Sequence, residues 1–117
     1  MKNKLSLAAA GCLLLLSGLT LAQDAMKYGV KHLTVMAEDD KVRVLHYTAK
    51  SGDKTPMHSH PATVVYVVKG GKARFTFPDG TVKESESKSG EVQLRAPVTH
   101  ADEALTDIES ILIELKK

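Results

Sequence analysis

The chain has 117 residues, with 16 lysines and arginines against 14 aspartates and glutamates, and a single cysteine. Two of the basic residues, Lys2 and Lys4, lie at the extreme N-terminus, so the rest of the chain is formally neutral. A neutral composition excludes the basic footprint of a nucleic-acid-binding domain. The roughly 95 residues beyond the N-terminal stretch are enough for one small domain with a single core.

The N-terminal stretch has the composition of a targeting segment. Two lysines precede an apolar run from Leu5 to about Ala22, which ends in small residues. This layout is typical of a secretory signal peptide. We therefore expect residues 1–22 to be removed by cleavage, leaving residues 23–117 as a periplasmic or secreted domain with no stable membrane association. The alternative is an uncleaved membrane anchor, because the run reaches the lower edge of spanning length.

The only cysteine, Cys12, lies inside this apolar run. A cysteine here could be the lipidated N-terminal residue of a mature lipoprotein. The apolar run continues past Cys12, however, and such a protein would not need apolar residues after its lipidated cysteine. The mature domain is therefore expected to have neither a disulfide nor thiolate chemistry.

The remainder of the chain consists of short extended segments separated by turns. Apolar and polar residues alternate in several segments, and Pro78-Asp79-Gly80 is a hairpin signal. Strands are predicted at residues 31–37, 41–49, 55–60, 62–68, 72–77, 81–86, 91–95, 100–105 and 108–115. Eight or nine short strands without an amphipathic helix predict an antiparallel sandwich or barrel.

Three histidines are the main candidates for chemistry. His58 and His60 stand at positions i and i+2 of an extended segment, so their side chains point to the same side. His100 follows a proline turn and can be brought to the same place by a later strand. Neutral imidazole suits transition metals rather than calcium or magnesium. The alternative is a chance collection of surface histidines.

The residues around these histidines resemble the two sequence motifs of the cupin family. The motifs read Gly52-x5-His58-x-His60-x3-Val64-x6-Gly71 and, in a shortened form, Gly90-x6-Pro97-x2-His100. The resemblance covers residues 52–104. It implies that residues 23–117 form an all-β domain, a single cupin jelly-roll β-barrel of antiparallel strands.

The chain departs from the family pattern at two positions. Val64 stands where the first motif has its glutamate ligand, and Ala104 where the second motif ends in asparagine. The resemblance therefore transfers three ligands, His58, His60 and His100, to a divalent transition metal: Fe, Mn, Zn, Ni or Cu. Without a carboxylate ligand, the charge of the metal favours an anionic ligand. The alternative is a degenerate cupin that binds no metal.

Counting alternate positions from His60 places Val64 and Tyr66 on the inward face of the following strand. Phe75 and Phe77 are also expected inside the barrel. These four residues are the candidates for a ligand pocket. Tyr66 is the one candidate for a catalytic side chain, and its alternative role is that of an aromatic core residue.

The same count places Val65 and Val67 on the outer face. A covering element is then needed, either the N-terminal strand or a second subunit, and by analogy with small cupins we expect a homodimer. Arg95 is expected to face solvent or to pair with an acidic residue.

These inferences predict an exported, metal-binding cupin-domain protein. It could act on a small anionic molecule as an oxygenase, isomerase or hydrolase, with Fe(II) dioxygenases or zinc hydrolases as models. The alternative is a non-catalytic module that binds a small ligand or a metal and keeps a vestigial active site. A third reading is a structural or stress-related dimer. Fold analogy does not choose among them.

Overall fold

The computed structural model describes residues 24–26 and 31–117. The predicted signal peptide at residues 1–22 lies outside the described residues. The described part of the chain holds no helix that is long and apolar enough to cross a membrane.

Nine β-strands make up the described domain, in agreement with the predicted all-β class. They are β1 (Leu33–Glu38), β2 (Val42–Ala49), β3 (Lys54–His60), β4 (Thr63–Lys69), β5 (Gly71–Thr76), β6 (Val82–Ser87), β7 (Val92–Arg95), β8 (Val98–Ala104) and β9 (Ile108–Leu115).

The strands form two antiparallel sheets that face each other as a jelly roll. The five-stranded sheet has the order β1-β2-β9-β4-β7, and the four-stranded sheet has the order β3-β8-β5-β6. The predicted jelly roll is confirmed, although its two sheets do not close into a continuous barrel: among the nine described strands, none of one sheet pairs with a strand of the other. The interior lies between the two sheets.

Two glycines of the first motif have clear structural reasons. Gly52 has a φ of +93°, a left-handed conformation that a side chain would strain. Gly71 begins β5 with regular backbone, but a Cβ at this position would overlap Thr106 Oγ1 and lie 2.8 Å from Ile108 Cγ2. The spacing of the motif therefore marks a turn and a close approach of two strands.

The hydrophobic core belongs mainly to the five-stranded sheet. Leu45, Val65, Val67 and Leu112 pack there and are joined by Leu33 and by Ala25 from the N-terminal segment. Val65 lies directly opposite Leu112 in the register of β4 and β9.

The inward positions predicted for Val64 and Tyr66 are wrong. Val65 and Val67 are each 2% exposed, whereas Tyr66 is 44% exposed. The prediction counted from His60 as if the strand continued, but β3 ends at His60 and β4 begins at Thr63. The intervening proline turn resets which positions face inward. Val65 and Val67 thus belong to the core, and they no longer argue for a second subunit.

Candidate metal centre

The three predicted histidines lie together on the inner face of the four-stranded sheet. β3 carries His58 and His60, and β8 carries His100 directly opposite His58 in the register. All three side chains are buried, with exposures of 1%, 9% and 5% in chain order. Alternation along β3 and pairing with β8 are therefore enough to bring the three imidazoles to one place.

The cluster has the dimensions of a metal site. One ring nitrogen from each of the three histidines lies within 4.8 Å of the others. Three imidazoles are a sufficient protein ligand set for a transition metal, with further positions left for water or another ligand. The three-histidine convergence predicted from the sequence is confirmed.

Hydrogen bonds orient two of the three rings. His58 Nδ1 donates to the Pro56 carbonyl at 2.7 Å, and His60 Nδ1 donates to Glu114 Oε2 at 2.6 Å. A neutral imidazole with its hydrogen on Nδ1 presents a lone pair at Nε2. Both rings are therefore set to bind a cation through Nε2.

These two Nε2 atoms face each other at 3.0 Å. With lone pairs on both atoms, the contact is repulsive unless a proton or a metal ion lies between them. Metal–imidazole bonds of about 2.0–2.1 Å at right angles would separate the two nitrogens by about 3 Å. The spacing thus agrees with two adjacent ligands of one ion.

Burial keeps two of the three histidines in the form that binds metals. Burial lowers the pKa of His58, and the neighbouring His60 adds to this. Burial lowers the pKa of His100 to about 3, helped by His58, His60 and Arg95. The neutral rings of His58 and His100 are therefore available as ligands across the physiological pH range.

A carboxylate that the sequence interpretation missed holds His60. Glu114, in β9, is 2% exposed, and its Oε1 accepts hydrogen bonds from Arg43 Nε at 2.9 Å and Nη2 at 2.6 Å. Arg43 also donates to both carboxylate oxygens of Asp24. Burial alone would raise the pKa of Glu114, but hydrogen bonds from His60 and Arg43 keep it low. Glu114 shares the inward face of β9 with the core residue Leu112, so the alternation of this strand signals its burial but not its contact with His60.

A second missed carboxylate, Asp102, stands beside the cluster. Its Oδ2 lies 3.9 Å from His58 Nε2 and 3.8 Å from His100 Nε2, and Tyr47 donates a hydrogen bond to Oδ1 at 3.3 Å. Burial raises the pKa of Asp102. His100 and Asp102 stand two residues apart on one strand face, the same spacing that identified His58 and His60.

Asp102 and Glu114 change the charge expected at the site. The absence of a glutamate at position 64 predicted a metal with no nearby negative charge. Glu114 instead contacts one of the three ligand rings, and Asp102 lies close to the other two. The centre therefore has carboxylates near its ligands, although neither occupies the position that the family motif specifies.

A cavity of about 80 Å³ lies next to the histidines. Its lining combines apolar side chains, among them Val65 and Val67 from β4 and Phe75 from β5, with polar ones. Phe75 thus lines the cavity as predicted, whereas Val64 and Tyr66 do not. Phe77 lines a second, more open cavity of about 440 Å³.

Arg95 is the most unexpected residue of the cavity wall. It lines both cavities, together with His100 and Phe75, and its guanidinium lies 5.9 Å from the Phe75 ring centre. The sequence interpretation placed Arg95 in solvent or in an ion pair. Both expectations are wrong, because the side chain is half-buried and makes no ion pair with any described residue. It shares the lumen face of β7 with Gln93, which was left unassigned.

Comparison with known proteins identifies the fold. No family model and no curated protein matches the chain. Among solved structures, a cupin domain from Bordetella pertussis is 25% identical, covers 73% of this chain and 92% of its own, and superposes with a TM-score of 0.66.

Two further solved structures have the same architecture at lower identity. A cupin superfamily protein from Desulfitobacterium hafniense is 18% identical, covers 73% of this chain and 76% of its own, and has a TM-score of 0.56. An RmlC-like cupin family protein from Methanocaldococcus jannaschii has a double-stranded β-helix fold and is 14% identical. It covers 72% of this chain and 78% of its own, with a TM-score of 0.58. The fold of this chain is thus the cupin jelly roll, and the similarity supports the cupin superfamily.

Proposed function

We propose that this chain, a cupin by fold, is an exported protein that binds one divalent transition metal ion through His58, His60 and His100. The bound metal would act on a small anionic molecule in the reaction of an oxygenase, an isomerase or a hydrolase. Export rests on the N-terminal sequence. The metal site rests on one observation above all: His58 Nε2 and His60 Nε2 face each other at 3.0 Å, while the Nδ1 of each ring is engaged by a hydrogen-bond acceptor.

A divalent metal in this site would polarise a bound ligand and lower the pKa of bound water toward about 7. The residues of the chain supply orientation and a proton acceptor. Glu114 and the Pro56 carbonyl hold two rings in the tautomer that ligates through Nε2. Asp102 Oδ2, within 4 Å of His58 Nε2 and His100 Nε2, would be near enough to accept a proton from a ligand of a metal held by these histidines.

Elemental analysis tests the metal site. The full-length chain is expressed with its own leader, recovered from the exported fraction, and purified without chelator or affinity tag. We expect about one Fe, Mn, Ni, Cu or Zn ion per chain and loss of that ion in His58→Ala. The matched control is His46→Ala, because His46 lies outside the cluster and pairs with Glu109 at 2.7 Å.

Wild-type protein that carries no metal, and takes up none when these five metals are offered, would overturn the proposed function. Metal retained in His58→Ala at the wild-type ratio would also overturn it. Absence of the protein from the exported fraction would overturn the export proposal alone.

A non-catalytic binding module is the second candidate, and the small volume of the cavity beside the histidines favours it. About 80 Å³ holds a few water molecules or a very small ligand, so larger substrates would have to enter from the wider cavity. Saturable binding of a small ligand to the metal-loaded protein without turnover would favour this candidate over an enzyme.

A homodimer remains part of the proposal, but the residues that support it are no longer Val65 and Val67. Leu94, Val92 and Tyr66 on the outer face of the five-stranded sheet are 82%, 60% and 44% exposed. Val64 lies opposite Leu94, and Tyr66 opposite Val92, in the register of β4 and β7. Neighbouring exposed apolar side chains of this kind often mark a protein–protein contact.

A further inference from the structure

We propose that Arg95 binds the carboxylate group of the molecule on which the metal acts, so that the cavity is a site for small carboxylic acids. This inference rests on the proposed function, because it assigns a substrate class to the same site.

The first argument is the position of Arg95. It lines the smaller cavity of about 80 Å³ that the three histidines also line, and it lines the wider cavity of about 440 Å³ beside it. The two cavities share five lining residues: Phe75, Ser85, Gln93, Arg95 and His100. A molecule that enters from the wider cavity toward the histidines therefore passes the guanidinium group.

The second argument is the lack of a counter-ion. Arg95 donates only to Gln93 Oε1, from Nε at 3.0 Å and from Nη2 at 2.5 Å, and Nη1 has no acceptor among the described residues. Asp102 and Glu91 act on it only at longer range. A half-buried cation with unused donors is costly unless an anion offsets its charge.

The third argument is that the guanidinium is held in place. Gln93 Nε2 donates to Glu91 Oε2 at 2.9 Å, which turns Gln93 Oε1 toward Arg95. The Phe75 ring lies near one face of the guanidinium and also contacts His100, with ring centres 5.1 Å apart. An ordered guanidinium with free edge donors matches the planar geometry of a carboxylate.

A single carboxylate fits the charge of the cavity better than a phosphate. Among the described residues that line the smaller cavity, Arg95 and Lys72 are the cations and Asp102 is the carboxylate. Their charges leave one positive charge for a ligand to offset, and Asp102 would repel any further negative charge. The favoured ligand is therefore a small monocarboxylate with a second donor atom for the metal.

The test compares two small thiols, of which only mercaptoacetate carries a carboxylate. Protein loaded with Co(II) is titrated with mercaptoacetate and with 2-mercaptoethanol, following the thiolate-to-cobalt charge-transfer absorption. We expect wild-type protein to bind mercaptoacetate roughly ten- to a hundredfold more tightly, as a charge-assisted hydrogen-bonded pair would give. Arg95→Met should reduce this preference to near unity, and Arg95→Lys should give an intermediate value.

The control variant is Arg74→Met. Arg74 is an arginine of the four-stranded sheet that pairs with Glu84 and Glu103 and lines neither cavity. It should keep the wild-type preference. Cobalt content and thermal unfolding are measured for each variant first, so that loss of metal or of folding is recognised separately.

The role of Arg95 is overturned if the wild type shows no preference for mercaptoacetate over 2-mercaptoethanol. It is also overturned if the preference persists in Arg95→Met with one cobalt bound. Either result leaves the metal site standing. Failure of the wild type to bind cobalt overturns the proposed function itself. Inorganic phosphate that displaces mercaptoacetate more effectively than acetate does would overturn the assignment to carboxylates.

Discussion

Arg43 and Arg95 both belong to the five-stranded sheet, but their guanidinium groups have opposite surroundings. Arg43 donates to two carboxylates, Glu114 and Asp24, whereas Arg95 donates only to the neutral amide of Gln93. Burial lowers the pKa of both groups, but the two carboxylates raise that of Arg43 above its usual value, and that of Arg95 stays lowered. The first arginine completes a network, and the second still lacks an anion.

This difference separates a structural part of the centre from a part that can bind a ligand. The Asp24–Arg43–Glu114 network ends on His60 Nδ1 and holds that ring in place. Arg95 lies on the cavity side of the same cluster, near His100. Charge that is neutralised within the protein supports the fold, and charge that is not neutralised is available for recognition.

The largest expected effect comes from breaking the closed network. Glu114→Ala leaves Arg43 and His60 without their shared buried partner, so we expect the free energy of unfolding to fall by about 3–5 kcal/mol. Urea denaturation of the metal-free protein measures this. The control is Glu109→Ala, on the outer face of the same strand. It removes the exposed partner of His46 and should lower the free energy of unfolding by only about 0–1 kcal/mol.

Equal losses for these two variants would show that the buried network contributes no more to stability than a surface ion pair. The structural role assigned to Arg43 and Glu114 would then be wrong.

Acid should destabilise the metal-free protein through His100. Its folded pKa of about 3 lies below the ordinary value of 6.5, so between these values the unfolded chain binds a proton that the folded chain does not. Stability therefore falls as the pH falls through this window, by at most about 1.4 kcal/mol per pH unit. Asp102 acts in the opposite sense, because its raised pKa lets the folded state take up a proton first.

Thermal unfolding between pH 7 and pH 4 after chelation checks this prediction. The loss of stability per pH unit should be smaller in His100→Gln, which lacks the titrating ring. It should be slightly smaller in Arg95→Met, since Arg95 contributes to the low pKa of His100. A His100→Gln slope identical to the wild-type slope would contradict the assignment to this histidine.

The smallest expected effect is on stability when Arg95 itself is replaced. Arg95→Met removes a cation that pairs with no described carboxylate, so the free energy of unfolding should not fall below that of the wild type by more than about 0.5 kcal/mol. Arg43→Met should lower the free energy of unfolding by about 3 kcal/mol, because it leaves the buried charge of Glu114 without its arginine partner. Comparable losses for the two variants would remove the distinction between them.

The strands and the three ligands were predictable because their signals are local. Alternating side chains and turn residues act within a few positions, and they placed all nine strands to within a few residues. The pair His58 and His60 follows from strand geometry, and His100 followed from the resemblance to the family motifs. The error at Val64 and Tyr66 also has a local cause, since the count of alternating positions was carried through the turn at Pro61.

By itself, then, the sequence determined the all-β class, the positions of the strands and turns, and the three histidines. Only the tertiary structure decided what surrounds those histidines. Glu114 reaches His60 across 54 positions of the chain, and Arg95 comes to the same cavity on a different sheet from the ligands. Such partners depend on which strands pair and which faces meet, and no short-range pattern of residues encodes that choice.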